Sequence, residues 1–393
     1  MDFLTDEVRR DPYPLYDRMR AASPALHVPG PDLWMIFDYE GVRRALTDHE
    51  AWSNDVAPSR GIRFEWLLFM DPPRHTRLRA LIAKAFTARS IAGLEPRVRA
   101  IARALLDRVA ARGEMDLVAD FAAPLPMMVI AEMLGVPAVD WERLKRWADA
   151  IMGLGSTILG TEASARAASE VFLAATEEMK DELDRWSAER RAAPRDDLLT
   201  RLVQAEVDGA RLTEEEILRF VQLLLAAGTE TTTNLIDNAV ICFTESPAEL
   251  ARVRAAPDLL PSAIEEVLRH RSPAQAMFRV PRRDVEVHGQ VIPAGKLVLV
   301  MVGSANRDPK QFADPGRFDV TRDPNPHIAF GHGIHFCLGA PLSRLEARVG
   351  LEELLARTRS FALASDAPWE PRKPFHVHGP SRLPIRFEPA APS

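Results

Sequence analysis

The chain predicts a mainly α fold. Three observations point that way: apolar residues recur at spacings near 3.6 over several long segments, strand-like runs are few and short, and prolines are scattered as turn punctuation instead of collecting in a linker. With 393 residues, 47% hydrophobic and 27% charged, it has apolar material for a large core. No Gly/Ser-rich linker, repeat or low-complexity block divides it, so residues 1–393 read as one domain.

The elements follow in order. "LWMIF" near the N-terminus reads as a strand. "PRHTRLRALIAKAF", "LEPRVRAIARALLDRVAA" and "VFLAATEEMKDELDRWSAERR" carry helical spacing. A longer segment, 213–244, opens with Thr213 and Glu216 as a T-x-x-E capping box and would run about 48 Å at 1.5 Å per residue. "VEVHGQVIPAGKLVLVMV" reads as a hairpin-like pair, with turns at His288–Gly289 and Pro293–Gly295. Irregular, Pro-rich chain then leads into a last long helix, "LGAPLSRLEARVGLEELLART". An unstructured connection of that length in a compact domain usually serves function. The terminal "FEPAAPS" is expected to fray.

Composition excludes several classes. A net charge of −6 argues against a general nucleic-acid binder. "MDFLTDEVRR" has no apolar core of a signal peptide, and runs such as "LVLVMV" fall far short of the ~18 residues of a membrane span. A cytoplasmic protein without a membrane partner is expected. Two cysteines, Cys242 and Cys337, rule out a disulfide framework or a four-thiolate metal site.

Attention falls on "FGHGIHFCLG", residues 330–339. Three glycines around one cysteine imply backbone held at positive φ or brought close to something bulky. Cys337 stands where a helix begins, so the helix dipole and terminal NH groups favour its thiolate. Such a thiolate would suit haem iron. Two other readings stay open on these ten residues: a small buried hydrophobe, or zinc held with His332 and His335, although that spacing is cramped and lacks a fourth ligand.

The stretch resembles the haem-binding signature of the cytochrome P-450 family of soluble bacterial type, with Phe330, Gly331, Gly333, His335, Cys337 and Gly339 in the motif positions. Further motifs follow the family's order. "EEVLR" supplies its E-x-x-R as Glu266 and Arg269, and "FADPGRF" resembles the segment whose arginine, here Arg317, completes an ion-pair triad with them. "AGTETT" matches the oxygen-binding helix, and "DPPRHTRLR" resembles a stretch that holds haem propionates. The start, "DPYPLYDRMRAASP", is similar as well.

The resemblance implies the cytochrome P-450 fold, mainly α with a small β-rich lobe, around haem b. It implies Cys337 as iron ligand, His75, Arg79, Arg279 and His335 as propionate partners, and Ala227, Gly228, Phe330 and Gly339 beside the cofactor. The activity implied is a monooxygenase that uses O2 as co-substrate on a largely apolar small molecule. Electrons would come from NAD(P)H through a ferredoxin-type iron–sulfur protein and its reductase, and the protein would be a monomer. Arg74, Arg77, Lys84, Arg344 and Arg348 would form the docking patch. Phe64, Trp66, Leu67, Ala227, Ala274, Met277 and Phe375 would wall the substrate pocket, with Arg63, Glu65, Gln275, His376 and His378 as its polar groups.

This accounts for an oddity in the 213–244 helix. Its middle, "AAGTETTTN", holds a glycine, an acid and four threonines, all mediocre or poor helix formers. Gly228 would let the backbone approach a porphyrin, and Thr231 would bond back to the carbonyl of Ala227 and loosen the helix. Glu230 and Thr231 would then deliver protons. A peroxide-driven or non-hydroxylating haem-thiolate enzyme, or a haem-based sensor or carrier, needs no such pair, so the acid and alcohol argue against both.

Overall fold

The computed structural model describes residues 5–60, 65–136, 141–155 and 162–390. They group into two units: Phe64–Arg97 with Pro126–Glu230, and Met1–Arg63 with Val98–Leu125 and Thr231–Ser393.

The first unit is built on helices α1 (Arg74–Ala85), α2 (Pro124–Leu134), α3 (Glu162–Ala192) and the opening half of α4 (Glu214–Glu245). The capping box forms as predicted: the Glu216 amide donates to Thr213 Oγ1 at 3.1 Å and the Thr213 amide to Glu216 Oε2 at 3.0 Å. Three glutamates in the first turn suit the helix dipole. The weakened middle does not break α4, which stays helical over all 32 residues. Thr229 Oγ1 bonds back to the Leu225 carbonyl at 2.7 Å. A Cβ added at Gly228 would lie 2.9 Å from Ile130 Cδ1. Gly228 therefore allows the close approach of α2 to α4. In α3 the pairs Lys180–Asp184 and Arg185–Glu189 add i,i+4 support on the solvent side. Arg190, buried near the end of α3, donates to Asp197 Oδ2 at 3.0 Å and to the Gly135 carbonyl at 2.8 Å.

The second unit takes the rest of α4, with α5 (Leu260–His270), α6 (Ala340–Arg357) and the main strands. These are β1 (Ala25–Val28), β2 (Leu33–Ile36), β3 (Trp52–Ser53), β4 (Glu114–Asp116), β5 (Met277–Pro281), β6 (Val285–Val287), β7 (Gln290–Ile292), β8 (Leu297–Val300), β9 (Thr358–Leu363) and β10 (Pro384–Pro389). A five-stranded sheet has the order β1-β2-β8-β5-β3, with β8 parallel to β2 and antiparallel to β5. The predicted hairpin is β6–β7, turning through His288 and Gly289 at positive φ. The "LVLV" that follows leaves it for the larger sheet, because all four residues of β8 are buried and need cover on both faces.

At the C-terminus, β10 pairs with β9 and β4, so Phe387 to Pro389 of the tail expected to fray are held in a ladder; residues 391–393 lie outside the described residues. Among the described residues no helix is long and apolar enough to cross a membrane.

The E-x-x-R pair is fully buried and bidentate, with Arg269 Nη2 and Nε on the two Glu266 oxygens at 2.7 and 2.8 Å. The third partner is Arg322, whose Nε reaches Glu266 at 3.1 Å. Arg317 does not fill that place: its side chain is 62% exposed beside Asp319, and only its carbonyl joins the cluster, accepting from Arg269 at 3.0 Å. The spent lone pairs of Glu266 and the carbonyls of Asn306 and Pro315 complete the satisfaction of the pair.

Candidate functional site

Cys337 lies just ahead of α6, after a short 3-10 turn at Gly333–His335. Its amide donates to the Phe330 carbonyl at 2.9 Å, which folds the loop back on itself. Gly331 and Gly333 both have φ of 72°, and a Cβ at Gly333 would meet the Leu46 carbonyl oxygen at 3.0 Å. Only glycine fits there without strain. A Cβ at Gly339 would stand 3.8 Å from Cys337 Sγ, so a larger residue would begin to cover the sulfur.

A paired cation stands near this position. Arg344, on the first turns of α6, stacks over Phe330 with 4.6 Å to the ring centroid and binds Glu265 through two bonds of 2.7 and 2.8 Å. The hydrogen bond to Glu265, against the opposing effect of burial, holds this guanidinium further toward its charged form, with the charge of Glu265 and last that of Cys337 adding to it. Cys242 is the contrast: it is buried in α4, where burial pushes its thiol up to about 12. Of the two cysteines in the sequence, only Cys337 is presented as a soft ligand. The zinc reading gains no support, since no cluster of three metal-ligating side chains occurs among the described residues. An accessible thiol in a glycine cradle, with a cation beside it, fits a thiolate-held planar cofactor.

The four threonines of α4 divide by role. Thr229 bonds within its helix, Thr232 Oγ1 donates to Ser343 Oγ at 3.2 Å, and Thr233 Oγ1 to the Ala122 carbonyl at 3.1 Å; all three are buried. Thr231 lies on a less buried stripe with Leu223, Ala227 and Glu230, spaced i, i+4, i+7, i+8. Ala227 is exposed and the other three are half-buried. An acid and an alcohol on this stripe can hold and pass protons.

Arg279 sits in β5 opposite Val298, buried, with Nε on the Ala45 carbonyl at 3.1 Å and Nη1 on the Phe278 carbonyl at 2.7 Å. Met277 of the same strand lies 3.5 Å from where a Gly331 Cβ would be. The structure thus brings β5 to the loop carrying Phe330, His335, Cys337 and Gly339. His75 and Arg79 fall in the first unit, one turn apart on α1, the former buried and the latter half-buried.

Several pocket residues are reassigned. Phe64 and Arg63 lie outside the described residues. Glu65 pairs with Arg74. Gln275 is buried and donates to the Ser272 carbonyl at 2.7 Å, while His378 is packed against Tyr13 and Trp369, so both are structural. Trp66 donates to Gln222 at 3.2 Å and stacks on Phe69. Leu67 lines a separate cavity of about 190 Å³ with Met70, Leu78 and Phe220. His376 remains as a polar group among Phe278 and Phe375, its imidazole pushed down to about 4 by burial.

The expected basic patch is largely neutralised. Arg74, Arg77, Arg344 and Arg348 each pair with a glutamate, and Lys84 donates to the Glu206 carbonyl. Most of their charge is spent on intramolecular partners.

Glu346 was missed by sequence reasoning. It is buried on α6, where burial, opposed by a hydrogen bond from Thr232, raises its carboxyl to about 8. Its helical phase was the available signal, since "LSRLEARV" places the glutamate on the same face as Leu342 and Val349.

A family model described as cytochrome P-450 matches residues 132–379. Cytochrome P-450 109 of Bacillus spizizenii is 41% identical over 389 residues, covering 98% of this chain and 93% of the relative. The cytochrome P-450 monooxygenase PikC of Streptomyces venezuelae is 40% identical over 400 residues, covering 98% and 93%. The crystal structure of CYP109E1 from Bacillus megaterium in complex with testosterone superposes with a TM-score of 0.87 at 39% identity, covering 96% of this chain and 99% of that one.

Proposed function

The chain belongs to the cytochrome P-450 family, and from that premise we propose how its own residues carry out the family's reaction. It is a haem-thiolate monooxygenase: one oxygen atom of O2 enters a small organic molecule and the other leaves as water. The observation that carries the assignment of residues is the setting of Cys337, the single accessible thiol, in a glycine cradle beside Arg344.

Haem b, when bound, would supply the activation of O2 through an iron held by a cysteine thiolate. Cys337 would be that thiolate. His75, Arg79, Arg279 and His335 would bond the propionates, as charge-assisted contacts do for carboxylates. Ala227, Phe330 and Gly339 would flank the cofactor. On the less buried stripe of α4, Glu230 exchanges protons with water and Thr231 positions the proton at its hydroxyl for delivery. The whole chain acts as one domain in this reading, a cytoplasmic monomer.

The substrate we propose is a largely apolar ring compound of steroid or macrocycle size, consistent with the steroid bound by one relative. Ala227, Ala274, Met277 and Phe375 would give it shape, and His376, neutral above about pH 4, could offer one hydrogen bond. Electrons would reach the haem from NAD(P)H through a ferredoxin-type iron–sulfur protein and its reductase. The arginines of α1 and α6 contribute little free charge to that docking, since they are already paired.

The deciding experiment is turnover of the haem-loaded protein with NADPH, a surrogate ferredoxin and its reductase, run beside peroxide alone. Oxygenated product from the NADPH system is expected. Product from peroxide alone would select the peroxide-driven alternative. Ligand binding without product in either system would select a sensor or carrier.

A further inference from the structure

After Thr231, helix α4 is an apolar core helix: Leu235, Ile236, Ala239 and Val240 are at most 1% exposed. Yet Asn234, Asp237 and Asn238, each 0% exposed, run along it as a polar strip. They follow Thr231 at i+3, i+6 and i+7, within about 10 Å along the helix axis.

Their bonding is incomplete in a complementary way. Asn234 Oδ1 accepts from Arg372 Nε at 2.8 Å, which fixes the amide and leaves Nδ2 buried without a partner. Asn238 Nδ2 donates to the Arg271 and His378 carbonyls at 3.0 and 2.9 Å, which leaves Oδ1 without one. Neither oxygen of Asp237 has a partner. One donor and three acceptors therefore sit orphaned on consecutive turns. Buried polar atoms in native proteins are satisfied, and where protein groups do not reach them internal water does. On one flank the Gly379 backbone closes tightly, since a Cβ there would come within 2.4 Å of Asn234 Oδ1. At the outer end stands Arg372, half-buried and so within reach of solvent.

We propose that Asn234, Asp237 and Asn238 hold a short file of internal waters, and that Asp237 is its proton-bearing group, feeding Thr231 from the C-terminal half of α4. This rests on the reading of Thr231 as a proton-delivering hydroxyl. Six residues separate Asp237 from Thr231, roughly 9 Å along the axis, a span for two or three waters and too long for a direct bond. In the step, the Asp237 O–H bond breaks, the adjacent water accepts that proton and passes one of its own onward, and the carboxylate recovers a proton from bulk water at the Arg372 end. No electrons change hands. Burial pushes the Asp237 carboxyl well above its ordinary range; Arg372 opposes this and Asp116 of β4 reinforces it. Burial thus favours the neutral form of this carboxyl, which carries the proton to be donated. A leucine would have packed this position at no such cost, so an uncompensated carboxyl in an apolar helix asks for a use.

The test compares Asp237→Asn, Asp237→Glu and Asp237→Leu with wild type in the haem-loaded enzyme. Infrared spectra at neutral pH are expected to show a protonated-carboxyl band in wild type that Asp237→Asn lacks. Product per NADPH should fall severalfold in the Asn and Leu variants, with a changed pH profile, and recover in Asp237→Glu. Should Asp237→Leu not fold, the isosteric Asn variant still decides. The proposal is overturned if no band is lost with Asp237, or if Asp237→Asn keeps both its coupling and its pH profile. These results differ from failure of the family reading, which would show in wild type as the loss of the thiolate-haem spectrum and would overturn the proposal with it.

Discussion

Thr232 and Ser343 meet hydroxyl to hydroxyl at 3.2 Å, joining the helix that carries the acid–threonine pair to the helix that leaves Cys337. Three residues beyond Ser343, Glu346 is bonded by the same Thr232 in a buried setting. Helices α4 and α6 are thus tied by a small polar knot. A knot containing a carboxyl has consequences for pH.

Glu346 is raised from 4.5 to about 8 in the folded chain, chiefly by burial. The native state keeps a proton that the unfolded state releases, so this group's contribution is fully present below pH 4.5 and is lost as pH rises to about 8. At about 1.4 kcal/mol per pH unit the loss is on the order of 3–5 kcal/mol. Glu346→Gln does not titrate, so its stability relative to wild type should rise across that window. Denaturation of both proteins at pH 5 and above pH 8 measures it, and parallel pH dependences would contradict the assignment.

Cys337→Ser should abolish the long-wavelength Soret band of the reduced carbonyl complex, since serine supplies no thiolate. Cys242→Ser should leave that band intact, because its thiol is buried and held protonated. Retention of the band in Cys337→Ser would remove the central assignment.

Thr231→Ala should spare substrate binding while the protein still consumes NADPH and O2, with reducing equivalents diverted to hydrogen peroxide or water. General acid–base positions typically contribute 10²–10⁴-fold, so the loss of product should reach roughly that range at its lower end. Thr229→Ala, which removes only a bond inside the helix, should not uncouple. Equal product per NADPH in wild type and Thr231→Ala would exclude the hydroxyl from proton delivery.

The buried Glu266 separates two arginines that the sequence does not distinguish. Arg322, 12% exposed and bonded to Glu266 at 3.1 Å, should cost about 3–5 kcal/mol when replaced by Ala, as removal of one partner from a buried charge cluster does. Arg317→Ala should stay within about 0.5 kcal/mol, as exposed positions do. Urea midpoints of the two variants give the comparison, and the reverse order would restore Arg317 to the triad.

These two arginines also mark where the sequence stops being legible. Periodicity gave the helices, because an apolar stripe must face a core, and the capping box located the start of α4 to one residue. Motif residues clustered on the Cys337 loop because glycine at positive φ leaves a local signature. Arg317 and Arg322 share one loop and one residue type, and only the folded path decides which guanidinium turns inward. Likewise the pairing of Arg344 with Glu265, 79 residues away, leaves no trace in local spacing, so a cluster of basic residues read as a free patch. Strand β10 escaped notice because its partners lie in β9 and β4, and nothing within "IRFEP" records that cover.

Ala274 is half-buried and forms a bridge with Val377, between the motif helix α5 and β5, where a small side chain leaves room for a ring. Met277 and Phe375, also half-buried, offer apolar surface without charge, and His376 is held neutral above about pH 4 by burial. If these described residues line the substrate pocket as proposed, they offer no charge to pair with a compact, multiply charged ligand, whose burial unpaired would cost far more than shape could return. A panel of apolar ring compounds beside multiply charged ones should therefore shift the haem spin state only in the apolar set. Ala274→Phe should weaken the largest rings roughly tenfold or more, taking overpacking as 1–3 kcal/mol, and spare the smallest. Shifts confined to the charged compounds would refute the apolar reading. Uniform binding across ring sizes in Ala274→Phe would instead take Ala274 out of the pocket.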